Sequence, residues 1–247
     1  MGFFDLANPL LDALDGWMAA VPAAGRLAIW AAIGAIVSMG LYRLTSRQDR
    51  MAELKPQIRE AQKALSNFDG ELNEVWPLMR RHMGLNFRQL GLATGPALLA
   101  SIPLLFVLVW LSNRYDLVDP AVGQQIPLSV SNDAPLSAPG LSGSNGEYAL
   151  AWPSSPVTVS HQTTALFTID PESALATVVH KKQWYNALIG NPMGYLPDDA
   201  SMELVTLDLD SVEYLGFGPG WMRGWEMLFL SLLFAFSLAI KFAWKIH

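Results

Sequence analysis

The run LATGPALLASIPLLFVLVWL, Leu92 to Leu111, holds no charged residue over 20 positions. As a helix rising 1.5 Å per residue it would be about 30 Å long, the thickness of a bilayer's hydrocarbon core. No feature constrains the chain more, because a segment this long and this apolar fits a membrane better than a water-soluble fold. Two further runs have the same character, Leu27 to Tyr42 and Met227 to Ile240. The first reaches spanning length by taking in Val21 to Arg26, the second by extending from Trp221 to Trp244. Trp at both ends of the last run suits the two interfaces, and Arg26 and Lys241 can snorkel to the headgroups. The composition agrees, with 51% hydrophobic and only 15% charged residues.

The first 22 residues, MGFFDLANPLLDALDGWMAAVP, carry Asp5, Asp12 and Asp15 where a secretory signal would begin with positive charge, so the segment is expected to be retained. Phe3, Phe4, Leu6, Leu10, Leu11, Leu14 and Trp17 recur at helical spacing. Either an amphipathic helix lying in the membrane surface or an ordinary packed helix fits that pattern.

Orientation follows from the basic residues. Nine lie between Arg43 and Arg88, and Lys241 and Lys245 follow in the tail, whereas Tyr115 to Met222 has only Lys181 and Lys182 against twelve Asp and Glu. The positive-inside rule then predicts the N-terminus outside, the Arg43 to Arg88 loop in the cytoplasm, the long segment outside and the C-terminus in the cytoplasm. The net charge of −6 sums a basic inner face and an acidic outer one. With no cysteine, the outer segment folds without disulfides, which suits a bacterial inner membrane.

Within the basic loop, Met51, Leu54, Ile58, Ala61, Leu65, Phe68 and Leu72 are spaced three and four apart, a heptad seam. NFDGE at Asn67 to Glu71 signals a turn, and Leu72, Val75, Trp76, Met79 and Met83 offer a second helix an apolar face. The prediction is an antiparallel helical hairpin with coiled-coil-like packing. Pro56 is placed at the start of its first arm or at a kink leading away from the first span. Lys55, Arg59 and Lys63 form a basic stripe at i, i+4 spacing. A solvated face obeying the positive-inside rule is the first reading of such a stripe; the functional one is that it meets anionic headgroups, a ribosome or an acidic client.

RMAELKPQIREAQKAL, Arg50 to Leu65, resembles the segment that opens the cytoplasmic hairpin of the YidC-type membrane protein insertases, in which a Met, a Leu, a Pro and an Ile recur as Met51, Leu54, Pro56 and Ile58 do here. The next span of that family is similar too, with spaced prolines where Pro96 and Pro103 stand, and the order of segments matches. The likeness covers Leu27 to Leu111 and, by position, the last span. Three spans instead of the five core spans of bacterial YidC resemble the archaeal relatives and the insertase subunit of the endoplasmic reticulum membrane complex. The resemblance implies an insertase or chaperone role in protein transport, with client membrane proteins, partner membrane subunits in a hetero-oligomer, membrane lipids and the ribosome as partners. It also implies a groove arginine near the cytoplasmic end of the first span, where Arg43 stands; an ordinary topology anchor is the alternative. Ser38, Thr94, Ser101, Ser231 and Ser237 are the small polar residues within the spans that could line a groove, or bond their own helices.

The outer segment reads as a Pro-, Gly- and Ser-rich linker followed by a small α+β domain, with strands in EYALAW, VTVS, TALFTI and ELVTLDLD. A helix is predicted after Asp170 as N-cap and Pro171, with Leu175, Val178, Val179 and Leu188 as its stripe and Gly190 and Pro192 as its stop. In HKKQWYNAL the domain's two lysines stand beside Trp184 and Tyr185, suited to docking a partner or headgroups or to packing on the sheet. His161 and His180 lack a second ligand at metal spacing, and no phosphate loop or nucleophile elbow is present, so no enzyme, cofactor or specific nucleic-acid binding is predicted.

The expected fold is therefore a mainly α membrane protein with three transmembrane helices, a cytoplasmic antiparallel hairpin and an exoplasmic α+β domain between spans 2 and 3. The expected segments are 1–25 interfacial helix, 26–44 first span, 45–87 hairpin, 88–113 second span, 114–146 linker, 147–218 outer domain, and 219–247 third span and tail. The expected function is insertase-like assistance to client insertion or assembly through a partly hydrated groove. The alternative is a structural or accessory subunit that docks through its outer domain.

Overall fold

The computed structural model describes residues 1–70, 72–132 and 134–245. Glu71 of the predicted turn and the last two residues of the tail lie outside them, as does the side chain of Leu72. Among the described residues, five α-helices run in chain order as α1 Asn8–Gly16, α2 Ala23–Thr45, α3 Gln48–Ser66, α4 Leu72–Tyr115 and α5 Trp225–Ala243. Three of them, α2, α4 and α5, are long and apolar enough to cross a membrane. The chain forms two compact units, Met1–Leu27 with Leu105–Phe229, and Ala28–Leu104 with Leu230–His247.

In the helical unit, α2 turns one face inward through Trp30, Ala31, Gly34, Ala35 and Ser38, spaced three and four apart. Small residues on that face let neighbouring helices come close. A Cβ on Gly34 would stand 3.3 Å from Leu104 of α4 and 3.4 Å from Leu233 of α5, so the three spans meet there. After Ser46 and Arg47 the chain enters α3, and the Tyr42 hydroxyl lies 3.8 Å from Met51 Sδ.

The predicted seam of α3 is its inward face: Met51, Leu54 and Ala61 are buried, Ile58, Leu65 and Phe68 half-buried. Arg50, Glu53, Leu54 and Gln57 share a pocket with Arg88 and Leu92 of α4, and the turn at 67–70 joins the two helices. Pro56 departs from expectation, because α3 already begins at Gln48 and Pro56 sits in its interior. It costs the helix the bond that its missing N–H would have made to the Ala52 carbonyl. The second arm also differs. Val75, Leu78, Met79, His82 and Leu85 turn inward, while Trp76 and Met83, expected on the seam, are exposed. That arm and the second span are one unbroken helix of 44 residues, roughly 66 Å long at 1.5 Å per residue.

The described residues of the other unit form eight strands: β1 Gln125–Val130, β2 Leu136–Ser137, β3 Leu141–Ser144, β4 Glu147–Ala151, β5 Val157–His161, β6 Thr164–Ile169, β7 Val178–His180 and β8 Leu204–Leu207. They pair antiparallel in two sheets, ordered β3-β4-β1-β8-β7 and β2-β5-β6. Both sheets feed one core: Ile126, Leu128, Leu150, Val205 and Leu207 from the first, Val159, Phe167 and Ile169 from the second.

Two expectations are corrected here. The segment 114–146, expected as a linker, supplies β1, β2 and β3, and β1 lies mid-sheet between β4 and β8. The domain is β rather than α+β, because among the described residues of 147–218 no α-helix forms after Asp170. The Asp170 carboxylate instead closes a local turn by accepting from the Glu172 N–H at 3.0 Å and the Ser173 hydroxyl at 2.9 Å. Beyond it the β-branched pair Val178 and Val179 joins β8, and Trp184–Ala187 forms one short 3-10 turn.

The N-terminal segment belongs to this unit. The Phe4 N–H bonds the Leu188 carbonyl at 2.9 Å, and the buried Asp5 carboxylate accepts from the Gly2 N–H at 2.6 Å and the Gly190 N–H at 3.0 Å. A Cβ on Gly2 would lie 2.6 Å from the Leu188 carbonyl, so the close approach requires glycine.

Candidate functional site

The sequence-predicted site residues fall in the helical unit. Ser38 continues the inward stripe of α2, and its hydroxyl is buried without a hydrogen-bond partner among the described residues. Thr94 and Ser101 are committed to their own helix, donating to the Leu90 and Leu98 carbonyls at 2.8 Å each. Pro96 and Pro103 sit inside the same helix and leave the Leu92 and Leu99 carbonyls without their usual i+4 amides. Polarity in the second span is thus concentrated in about three turns of backbone, while Ser231 is exposed on α5.

Arg43 ends α2 on an exposed position, its guanidinium 6.0 Å from the centre of the Trp244 ring. A cation over an indole face at an exposed site contributes about 0.5–1 kcal/mol. The contact ties the end of α2 to the end of α5. Of the basic stripe, Lys55 is half-buried and Arg59 and Lys63 are exposed, so the three do not converge on one point. Arg50 and Arg88 do converge, on the pocket of about 290 Å³ that also holds Glu53 and Gln57.

Along the outward side of α4, Trp76, Met83, Phe87 and Leu90 are exposed at i, i+7, i+11 and i+14, one helical face. Arg80 is exposed beside it. This apolar strip with a cationic border was visible in the sequence as helical spacing, but a seam assignment absorbed two of its members.

In the other unit the structure assembles a polar cluster that sequence reasoning missed. Asp15, on the buried side of α1, binds Arg26 at 2.5 Å and accepts from the Tyr115 hydroxyl at 2.5 Å. The Arg26 guanidinium lies 5.3 Å from the centre of the Tyr115 ring. Trp110 donates its indole N–H to Asp12 at 2.8 Å, and the Tyr214 hydroxyl donates to the Tyr115 carbonyl at 3.0 Å. Burial pushes the Tyr214 phenol up to about 12, with Asp116 adding to the rise and Arg26 opposing it. Burial, then the charge of Glu226, likewise raises the Asp116 carboxyl above its ordinary value. The missed signal was the spacing of Asp5, Asp12 and Asp15, which puts the acidic residues opposite the apolar stripe of the same segment.

Among the described residues, no group of three or more His, Asp or Glu side chains is placed to hold a metal ion. No family model matches this chain, and no curated protein or solved structure is significantly similar to it. By class, three long apolar helices mark an integral membrane protein with an antiparallel β unit between its second and third spans.

Proposed function

We propose that the chain is an insertase-like membrane protein that assists insertion or assembly of client membrane proteins. In this reading the hairpin and the C-terminus face the cytoplasm of a bacterial cell, and the β unit and N-terminus face outward. The observation that carries it is the exposed strip of Trp76, Met83, Phe87 and Leu90 on the arm of α4, bordered by Arg80. A nascent transmembrane segment is apolar, and covering an apolar strip of this kind gains about 25 cal/mol per Å². The strip leads along one continuous helix into the span that carries the freed carbonyls. There, backbone acceptors and the partnerless Ser38 hydroxyl offer polar contacts that lower the cost of passing a charged residue through hydrocarbon. No energy-coupling motif is present in the sequence, so insertion would run downhill.

Reconstituted vesicles test the reading. The triple variant Trp76→Ser, Met83→Ser, Phe87→Ser should lower insertion of a single-span client about tenfold, the effect of losing about 1.4 kcal/mol of docking. Insertion at the wild-type rate would remove the proposed receiving surface.

A second reading, an accessory subunit of a larger membrane complex, is favoured by how little the chain covers its own spans. Only 11% of the apolar window of α4 and 6% of that of α5 are buried, which leaves broad faces for partner helices or lipid. Recovery of a stoichiometric membrane partner in mild detergent, with no insertion activity in vesicles, would favour this alternative.

A further inference from the structure

Beside the Asp15–Arg26–Tyr115 cluster lies a cavity of about 340 Å³. Its lining draws on the first turns of α2 through Arg26, the last turn of α4 through Asn113 and Arg114, and the β unit through Asp119, Ser173 and Tyr214. It therefore opens where two apolar helices begin and end, at the depth of headgroups for any helix that spans.

Arg26 is held for binding. Its terminal nitrogen is fixed by Asp15 and its guanidinium lies over the Tyr115 ring, while its buried Nε has no acceptor among the described residues. A guanidinium so restrained, with its side chain still 23% exposed, matches a phosphate oxygen. Arg114 and Asp119 are both exposed at the cavity, and neither makes a salt bridge among the described residues. Asp15 already neutralises Arg26, so the remaining charges, one positive and one negative, sum to zero. That balance fits a phosphodiester bearing an ammonium group better than a purely anionic headgroup.

We propose that this cavity binds the headgroup of an aminophospholipid, with Arg26 and Arg114 on the phosphate and Asp119 on the ammonium. Leu117, Val118 and Leu175 supply apolar wall for the first carbons of the glycerol. The site is independent of client insertion and would operate in either reading of the protein's function.

The test is native mass spectrometry of the full chain in non-ionic detergent, titrated with phosphatidylethanolamine, phosphatidylglycerol, phosphatidylcholine or soluble glycerophosphoethanolamine. One phosphatidylethanolamine should bind, about tenfold more tightly than phosphatidylglycerol. Arg114→Gln should weaken both lipids about tenfold, and Asp119→Asn should weaken only phosphatidylethanolamine, abolishing the preference. Both positions are exposed, and unchanged unfolding midpoints without lipid would show that the variants fold. Equal binding of the three lipids, or undiminished phosphatidylethanolamine binding by the double variant, would overturn the proposal. Glycerophosphoethanolamine binding as tightly as the lipid would identify a soluble phosphodiester and overturn the lipid source.

Discussion

Asp15 shows how one buried carboxylate organises three distant parts of the chain. Arg26 is 11 positions away and Tyr115 is 100, and both bind the same side chain. Removing one member of a buried pair leaves the other's charge without compensation, at a cost of about 3–5 kcal/mol. Asp15→Ala should therefore lower stability by about that amount in detergent, followed by Trp fluorescence during denaturation. Replacing both charges, Asp15→Leu with Arg26→Met, should recover most of the loss, because an apolar pair avoids the desolvation of two ions. A single-variant loss below about 1 kcal/mol would mean that water screens the pair.

Asp116 gives a residue-scale prediction of opposite sign. Burial and Glu226 raise its carboxyl above the ordinary 3.8, so the folded protein binds that proton more tightly than the unfolded chain does. Its contribution to stability is then full below the ordinary value and lost as pH rises through the folded-state value. At neutral pH the ionised group is a liability. Asp116→Asn should raise the unfolding midpoint at pH 7 by about 2 °C and leave it nearly unchanged at pH 3. An equal shift at both pH values would assign the effect to packing instead of charge.

Among the elements, α2 has the most demanding surface, since a Cβ at Gly34 meets Leu104 at 3.3 Å and Leu233 at 3.4 Å. Gly34→Leu would add a full side chain where a single carbon is already tight, and overpacking costs about 1–3 kcal/mol. The expected result is a lowered unfolding midpoint and faster cleavage by added protease, while Ile36→Leu, on the exposed side of the helix, changes neither. Equal behaviour of the two variants would mean that the spans do not meet at Gly34.

The elements also separate what was legible in the sequence from what was not. The seam of α3 was legible because Met51, Leu54 and Ala61 are buried by the periodicity that names them. The second arm was misread because Trp76 and Met83 are apolar yet exposed, and pattern alone cannot tell a seam from a docking strip. The helix expected after Asp170 failed because its capping signals close a turn just as well, and Val178 and Val179 prefer a sheet. The strands in 114–146 were hidden by their turn residues. Asn145 and Gly146 both have positive φ and join β3 to β4, the Asn-Gly hairpin signal within a stretch that composition marked as linker. Pro127 disguised β1 further, since a proline is unexpected in a mid-sheet strand.

The N-terminal segment inverts the usual amphipathic arrangement. Its acidic side is partly inward, through Asp5 and Asp15, and its apolar stripe of Phe3, Leu6, Leu10, Leu14 and Trp17 is exposed. Exposing such a stripe to water is unfavourable, whereas the headgroup boundary accepts it. Its chemistry thus supports a place at the membrane surface.

At the scale of the whole molecule, charge is sorted along the chain. Nine Lys and Arg lie between Arg43 and Arg88, and only Lys181 and Lys182 between Tyr115 and Met222. Translocating a short basic loop is disfavoured, so this asymmetry predicts the arm of α3 inside and the β unit outside. Because the chain contains no cysteine, single cysteines can report the arrangement without background. Ser155 in the β unit and Lys63 on α3 are both exposed. In intact bacterial spheroplasts, a membrane-impermeant maleimide should label Ser155→Cys at once and Lys63→Cys only after lysis. The reverse pattern would invert the topology and put the strip of Trp76 and Met83 on the side away from newly made clients. Labelling of both in intact spheroplasts would show that α2 and α4 do not separate the two positions by a bilayer, and the insertion reading would fall with them.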